Sequence, residues 1–80
     1  MKKSEIAQEL LRTVPRPRLI AAIGSVLARR QRRAAQLPDD TLMEVDVNVE
    51  AFVATCSVRQ LRLLREIALS LDIEAEGRLQ

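Results

Sequence analysis

The side chains able to do chemistry in this chain are few: one thiol, two adjacent or near-adjacent pairs of carboxylates, and many guanidiniums. Histidine, tyrosine and tryptophan are absent. Catalysis needs a nucleophile beside a base, a metal, or paired acids held in a dry cleft. The pairs Asp39/Asp40 and Glu74/Glu76 fall in a turn and in a tail, not in a dry cleft. The only glycines are Gly24 and Gly77, so no glycine-rich phosphate loop is available. The expectation is a protein with no catalytic residue, no cofactor and no small-molecule substrate, and therefore no enzyme. One cysteine and no histidine leave no internal disulfide and no ordinary zinc site, so no metal is expected.

Cys56 has two readings. Just ahead of a helix N-terminus, the dipole would lower its pKa and make it redox-sensitive. On an apolar stripe shared with Phe52 it is a small buried hydrophobe, and that reading is preferred.

The arginines are the more conspicuous chemistry. Arg29, Arg30, Arg32 and Arg33 cluster near the end of an expected helix. Guanidinium forks match phosphate geometry, so such a helix can lie along a nucleic-acid backbone. The same cations are also stabilised simply by the helix C-terminus, and they can select an acidic protein partner by charge complementarity. No aromatic interleaves them, which argues against single-strand stacking. A second row, Arg59, Arg62 and Arg65, falls on the later helix of a possible helix-turn-helix spanning residues 49–71. Its turn lacks glycine, and Asp46, Glu50 and Glu66 would repel nearby phosphates.

Charge is distributed unevenly. Residues 1–37 sum to +7 and residues 38–80 to −5, although the whole chain carries only +2. Such asymmetry fits a nucleic-acid-facing half, and equally one half packing on the other or on a second copy.

The elements that must position these groups read as follows. Ser4 is a candidate N-cap for a helix over 5–13, in which Ile6, Leu10, Leu11 and Val14 recur at helical spacing. Pro15 stops it, and Pro17 suits the first turn of a second helix running to Ala35 or Gln36. Leu19, Ile20, Ile23, Val26 and Leu27 form one stripe of that helix. Gly24 lies outside the stripe, and Arg30 projects onto its middle, so core packing should weaken beyond Leu27. Pro38 to Thr41 form a turn that also suits the cap of a third helix.

Leu42 to Cys56 is ambiguous. Met43, Val45, Val47, Val49, Ala51 and Val53 alternate in strand period, whereas Leu42, Val45, Val49, Phe52, Val53 and Cys56 make a helical stripe. Strand and helix both remain open for 43–48, with helix from Val49 onward. A strand there would have no second strand in the chain and would pair across a dimer. Ser57 and Gln60 form a capping box for a last helix over 58–71, whose stripe is Leu61, Leu64, Ile67, Ala68 and Leu71. Leu63 and Leu69 flank that stripe and widen its apolar surface. The acidic tail, about 73–80, is expected to fray.

Hydrophobic residues make up 48% of the chain, yet aromatics only 1%, so the core must be interdigitated aliphatics. The expected fold is one all-α domain over residues 1–80, with three to four helices. Eighty residues bury little surface per residue, and a second chain is the usual remedy when disulfides and metals are lacking. No apolar run approaches a membrane span or a signal peptide, so the expected setting is the cytoplasm, without membrane contact. The function expected is a regulatory or adaptor protein that binds another protein, a second copy of itself included. Its contact surface would combine Arg29, Arg30, Arg32, Arg33, Leu63 and Leu69. Two alternatives stand beside it: a DNA-binding regulator using either arginine set, and a structural assembly subunit.

Overall fold

The computed structural model describes residues 2–71; the tail expected to fray at 73–80 lies outside them. Four helices follow one another: α1 Lys3–Thr13, α2 Arg16–Ala34, α3 Val49–Thr55 and α4 Val58–Ser70. No strand occurs among the described residues, and the chain is a small all-α domain.

α1 begins earlier than the Ser4 signal implies. Lys2 occupies the N-cap position and no side chain caps it. The Lys2 carbonyl accepts from both the Glu5 and Ile6 N–H groups, so the backbone closes the first turn without the serine. Val14 then ends the helix in extended conformation, as a residue before proline prefers. α2 starts on the other side of Pro15, with Pro17 in its first turn.

α2 ends in a Schellman motif. Leu37 N–H donates to the Arg32 carbonyl at 2.8 Å and Gln36 N–H to that of Arg33 at 3.2 Å. The motif needs a left-handed residue, and Gln36 supplies it with φ 57° despite having a Cβ. The turn after it closes with Thr41 N–H on the Pro38 carbonyl, and no helix starts there.

The core forms mainly where α2 meets α4, with α1 packed on α4 and α3 on α2. Leu19, Ala22 and Ile23 of α2 are buried with Leu61, Leu64 and Ala68 of α4, and α1 adds Leu10. Ile20, expected on the α2 stripe, is instead 43% exposed, because the buried face is centred on Leu19, Ala22 and Ile23 rather than on the Ile20 side. The α4 capping box is present in both directions: Ser57 Oγ accepts from Gln60 N–H at 3.2 Å and Gln60 Oε1 accepts from Ser57 N–H at 2.7 Å. α3 is capped by Asn48, whose Oδ1 accepts from Ala51 N–H.

Basic residues of the first half finish the C-terminal ends of both helices of the second. Arg18 Nη1 donates to the carbonyls of Ala68 and Leu71 at 3.0 and 3.1 Å, at the C-terminal end of α4. Lys3 Nζ reaches the Ala54 carbonyl in α3 at 3.1 Å. Unpaired carbonyls and the negative end of the dipole are what a cation satisfies best at a helix C-terminus.

Residues 41–48, a strap between α2 and α3, form neither the helix nor the strand considered for them. Side chains alternate: Met43, Val45 and Val47 are half-buried while Leu42, Glu44, Asp46 and Asn48 are exposed. The periodicity of two is therefore present, but no second strand among the described residues turns it into a ladder. Arginines of α2 pin both ends. Arg32 Nη1 donates to the Thr41 carbonyl at 3.1 Å, and Arg16 grips Glu50 through two hydrogen bonds of 2.8 and 3.1 Å. Those arginines lie about 24 Å apart along α2 at 1.5 Å per residue, a span that the few intervening strap residues cover only when drawn out.

The strap crosses α2 at Gly24. A Cβ placed there would meet Val47 Cγ2 at 3.7 Å and Val45 Cγ2 at 3.9 Å, which is ordinary van der Waals contact. Its φ is not positive, so alanine suits both the backbone and the space. Gly24→Ala is expected to stabilise the fold by about 0.5–1 kcal/mol through helix propensity, read as a higher midpoint in urea with unchanged slope. Destabilisation would mean that the strap sits closer to α2 than these distances allow.

Candidate functional site

The contact residues expected from the sequence do not form one surface. Arg30 and Leu63 come together in a small cleft of about 120 Å³, lined also by Val26 of α2, Phe52 of α3 and Gln60, Leu64 and Ile67 of α4. Arg29, Arg32 and Arg33 line a different, polar depression together with Asp39. Leu69 is absent from the lining of both.

The cleft follows from helix geometry. Val26 and Arg30 lie four residues apart on α2, and Leu63 and Ile67 four apart on α4, so each pair stacks on one face. α3 lays Phe52 alongside them. The Arg30 guanidinium carbon stands 5.6 Å from the centre of the Phe52 ring, within cation–π range. That contact explains how an arginine projecting onto the α2 stripe is accommodated: its charge covers the edge of the core while staying exposed. Leu63 remains 51% exposed on the rim of this cleft, and Leu69 is 47% exposed elsewhere on α4.

The four clustered arginines therefore have different surroundings. Arg32 is half-buried, is tied to the Thr41 carbonyl, and has a buried Nε with no hydrogen-bond partner among the described residues. It serves the strap. Arg29, Arg30 and Arg33 are exposed. On α4, Arg59, Arg62 and Arg65 are all exposed as well, and Arg62 and Arg65 share a groove with Glu9, Ile6 and Leu10 of α1. α3 and α4 follow one another across a two-residue break at Cys56 and Ser57, shorter than the turn expected for a helix-turn-helix, and the main helix packing is of α2 on α4, α1 on α4 and α2 on α3.

Cys56 lies in the core at 3% exposure, its Sγ donating to the Phe52 carbonyl at 3.3 Å. Burial pushes the thiol above its ordinary pKa, with Arg30 and Lys3 pulling part of the way back. The dipole-activated reading fails for a spatial reason: the sulfur faces Phe52 and the core instead of solvent at the mouth of α4. The Arg16–Glu50 contact, hydrogen-bonded and charged, raises the arginine and lowers the carboxyl. Both groups are well exposed at 60% of the side chain, so their link orients Glu50 more than it stabilises the fold.

Among the described residues, no three His, Cys, Asp or Glu side chains converge as metal ligands, and no helix is long and apolar enough to cross a membrane. Sequence reasoning missed Phe52, Gln60 and Ile67 as neighbours of Arg30 and Leu63. The available signal was the single aromatic in the chain, which a helical register from Val49 places on the α3 face toward α2. The fold defines the class: a small all-α domain, with a mixed apolar and cationic cleft between α2 and α4 among its surface depressions. No family model, curated protein or solved structure matches the chain.

The thiol provides a check on this arrangement. Because its folded pKa is raised, the native state holds its proton more tightly than the unfolded chain does. Stability is then fully present below the ordinary thiol value of about 8.5 and falls as pH rises past it. Cys56→Ala is expected to remove that alkaline decline in a denaturant titration at several pH values, while native Cys56 reacts with thiol reagents far more slowly than in the unfolded chain. Prompt labelling of the native protein would contradict the buried position.

Proposed function

We propose that this protein is a non-enzymatic regulatory or adaptor protein that binds a partner protein at the α2–α4 cleft. The observation that carries this reading is Leu63, half-exposed beside Val26, Phe52 and Ile67 with the Arg30 guanidinium held above the Phe52 ring. Single exposed leucines are common on any protein. An aliphatic rim around an aromatic with a fixed cation beside it is a more specific combination, resembling the aromatic and arginine anchors that dominate interface energies. Its complement is an amphipathic helix bearing an aliphatic residue for the cleft and a carboxylate for Arg30. Arg29 and Arg33 lie on the neighbouring stretch of α2, where they add to the positive field that steers an acidic partner.

A short acidic amphipathic peptide is the direct probe. Titrated against the labelled protein, it is expected to shift the resonances of Val26, Arg30, Phe52, Leu63 and Ile67. Leu63→Glu is expected to weaken binding by about tenfold or more, as loss of a central anchor does, while Leu69→Glu changes little. Shifts confined to other surfaces, or equal binding by Leu63→Glu, would overturn the reading. Light scattering on the same variants tests a second copy as the partner: a dimer that Leu63→Glu dissociates makes the cleft a self-interface, and growth beyond a dimer favours a structural assembly subunit.

The α3–α4 pair supports a second reading, in which exposed Arg59, Arg62 and Arg65 meet the phosphates of duplex DNA. Binding to arbitrary duplex should then fall by roughly 0.9 log unit per contact for each decade of salt, and the triple glutamine variant should abolish it. Absence of binding at low salt removes this alternative.

A further inference from the structure

The strap offers something the cleft does not. Among the described residues, the backbone N–H and C=O groups of residues 42–47 take part in no hydrogen bond, and pairing resumes only where the Thr41 carbonyl meets Arg32 and the Asn48 carbonyl meets Phe52 N–H. An undecorated run of alternating residues is a template for another strand. We propose that the strap is a strand edge that takes up an extended segment of a partner protein in which aliphatic and basic residues alternate. This site is separate from the cleft: Gly24, under the strap, and Val26, in the cleft, are about 200° apart around α2 at 100° per residue.

Three features make the edge ready. Its inner side chains, Met43, Val45 and Val47, already rest against the molecule, so the backbone is held before any partner arrives. Both ends are tied to α2 through Arg32 and Arg16. These contacts reduce the ordering entropy lost on binding. An open trough of about 550 Å³ lies along Met43, Glu44, Val45 and Asp46, giving an added strand room beside them.

The outer side chains choose the partner. Glu44 and Asp46 are exposed, and the ion pair found among the described residues, Arg16–Glu50, involves neither. Opposite charges across neighbouring strands stabilise and like charges destabilise, which calls for lysine or arginine opposite both acids. Leu42, exposed at 96% on the same outer row, calls for an aliphatic residue at the corresponding place. The same rule disfavours a second copy of this strap. With inner faces kept on one side, antiparallel registers centred on residues 44, 45 or 46 set Glu44 on Glu44, Glu44 on Asp46, or Asp46 on Asp46. A parallel in-register pair does the same.

The test uses the full chain and three eight-residue peptides: alternating valine and lysine, alternating valine and glutamate, and a valine–lysine peptide with the lysines clustered. The alternating lysine peptide is expected to bind with salt-sensitive affinity and to slow amide exchange at every second residue of 42–47, since one edge uses alternate residues. Glu44→Lys with Asp46→Lys, both at exposed positions, is expected to weaken that binding by about tenfold and transfer the preference to the glutamate peptide. Leu63→Glu should leave it unchanged, so failure here is distinguishable from failure of the cleft. Equal binding of the clustered peptide would reduce the effect to bulk electrostatics and overturn the proposal. So would binding without protection at 42–47, or protection that appears in the unliganded protein as its mass doubles.

Discussion

Every other contact in this molecule depends on the seam between α2 and α4. Ala22 and Ala68 are completely buried in it, alongside Leu19, Ile23, Leu61 and Leu64. Small residues let two helices approach closely, and leucine and isoleucine between them fill the remaining space without a polar atom to satisfy. α1 and α3 are too short to hold together alone: at 11 and 7 residues, each gains its stability from packing rather than propensity. α1 takes its footing on α4 and α3 on α2. A larger side chain at Ala22 or Ala68 would part the seam and disturb both footings at once.

Of the four basic side chains of the first half that bond elsewhere in the fold, three meet backbone rather than carboxylate. Lys3 and Arg18 end on helix carbonyls of the second half, Arg32 ends on the strap, and Arg16 alone of these meets an acid. This arrangement is economical for a domain with little core, because each cation satisfies carbonyls that a helix end leaves open. It also leaves the acids free. Glu44 and Asp46 stay in solvent, outside the one ion pair found among the described residues.

How much of this was legible in the sequence follows from how local each signal is. The Ser57/Gln60 box and the stripe through Leu61, Leu64 and Ala68 specify α4 from within one segment, and Pro15 separates α1 from α2 without reference to anything distant. Helix from Val49 was readable for the same reason. The Ser4 cap misled because a backbone turn on Lys2 closes the helix first. Ile20 misled because a stripe of helical width has two edges, and only the partner helix decides which edge is buried. The strap could not be settled locally at all: its alternation is real, but a strand is defined by a neighbour, and the chain places a helix beneath it instead. The candidate cleft was half visible. Arg30 and Leu63 were both singled out, yet their pairing beside Phe52 depends on α3 packing on α2 next to α4, which spacing along the chain does not encode.

Leucine at position 63 is not required by the fold. The buried faces of α4 are served by Leu61, Leu64 and Ala68, and a polar side chain at 63 would disturb none of them. A similar argument applies to the strap, where outward acids and an outward leucine have no role in holding Val45 and Val47 down on Gly24. Leu63 and Leu42 are therefore apolar at exposed positions where solubility alone would favour a polar residue, and the cleft and the strap lie on different sides of α2. α2 is straight-threaded between them, tied to the strap by Arg16 and Arg32 and to the seam by Leu19, Ala22 and Ile23. Under the proposals made for the cleft and the edge, one rigid helix would hold two contact surfaces of opposite preference, cationic and anionic, at a fixed separation. Such a helix would meet the physical requirement for joining two unlike partners without a flexible linker.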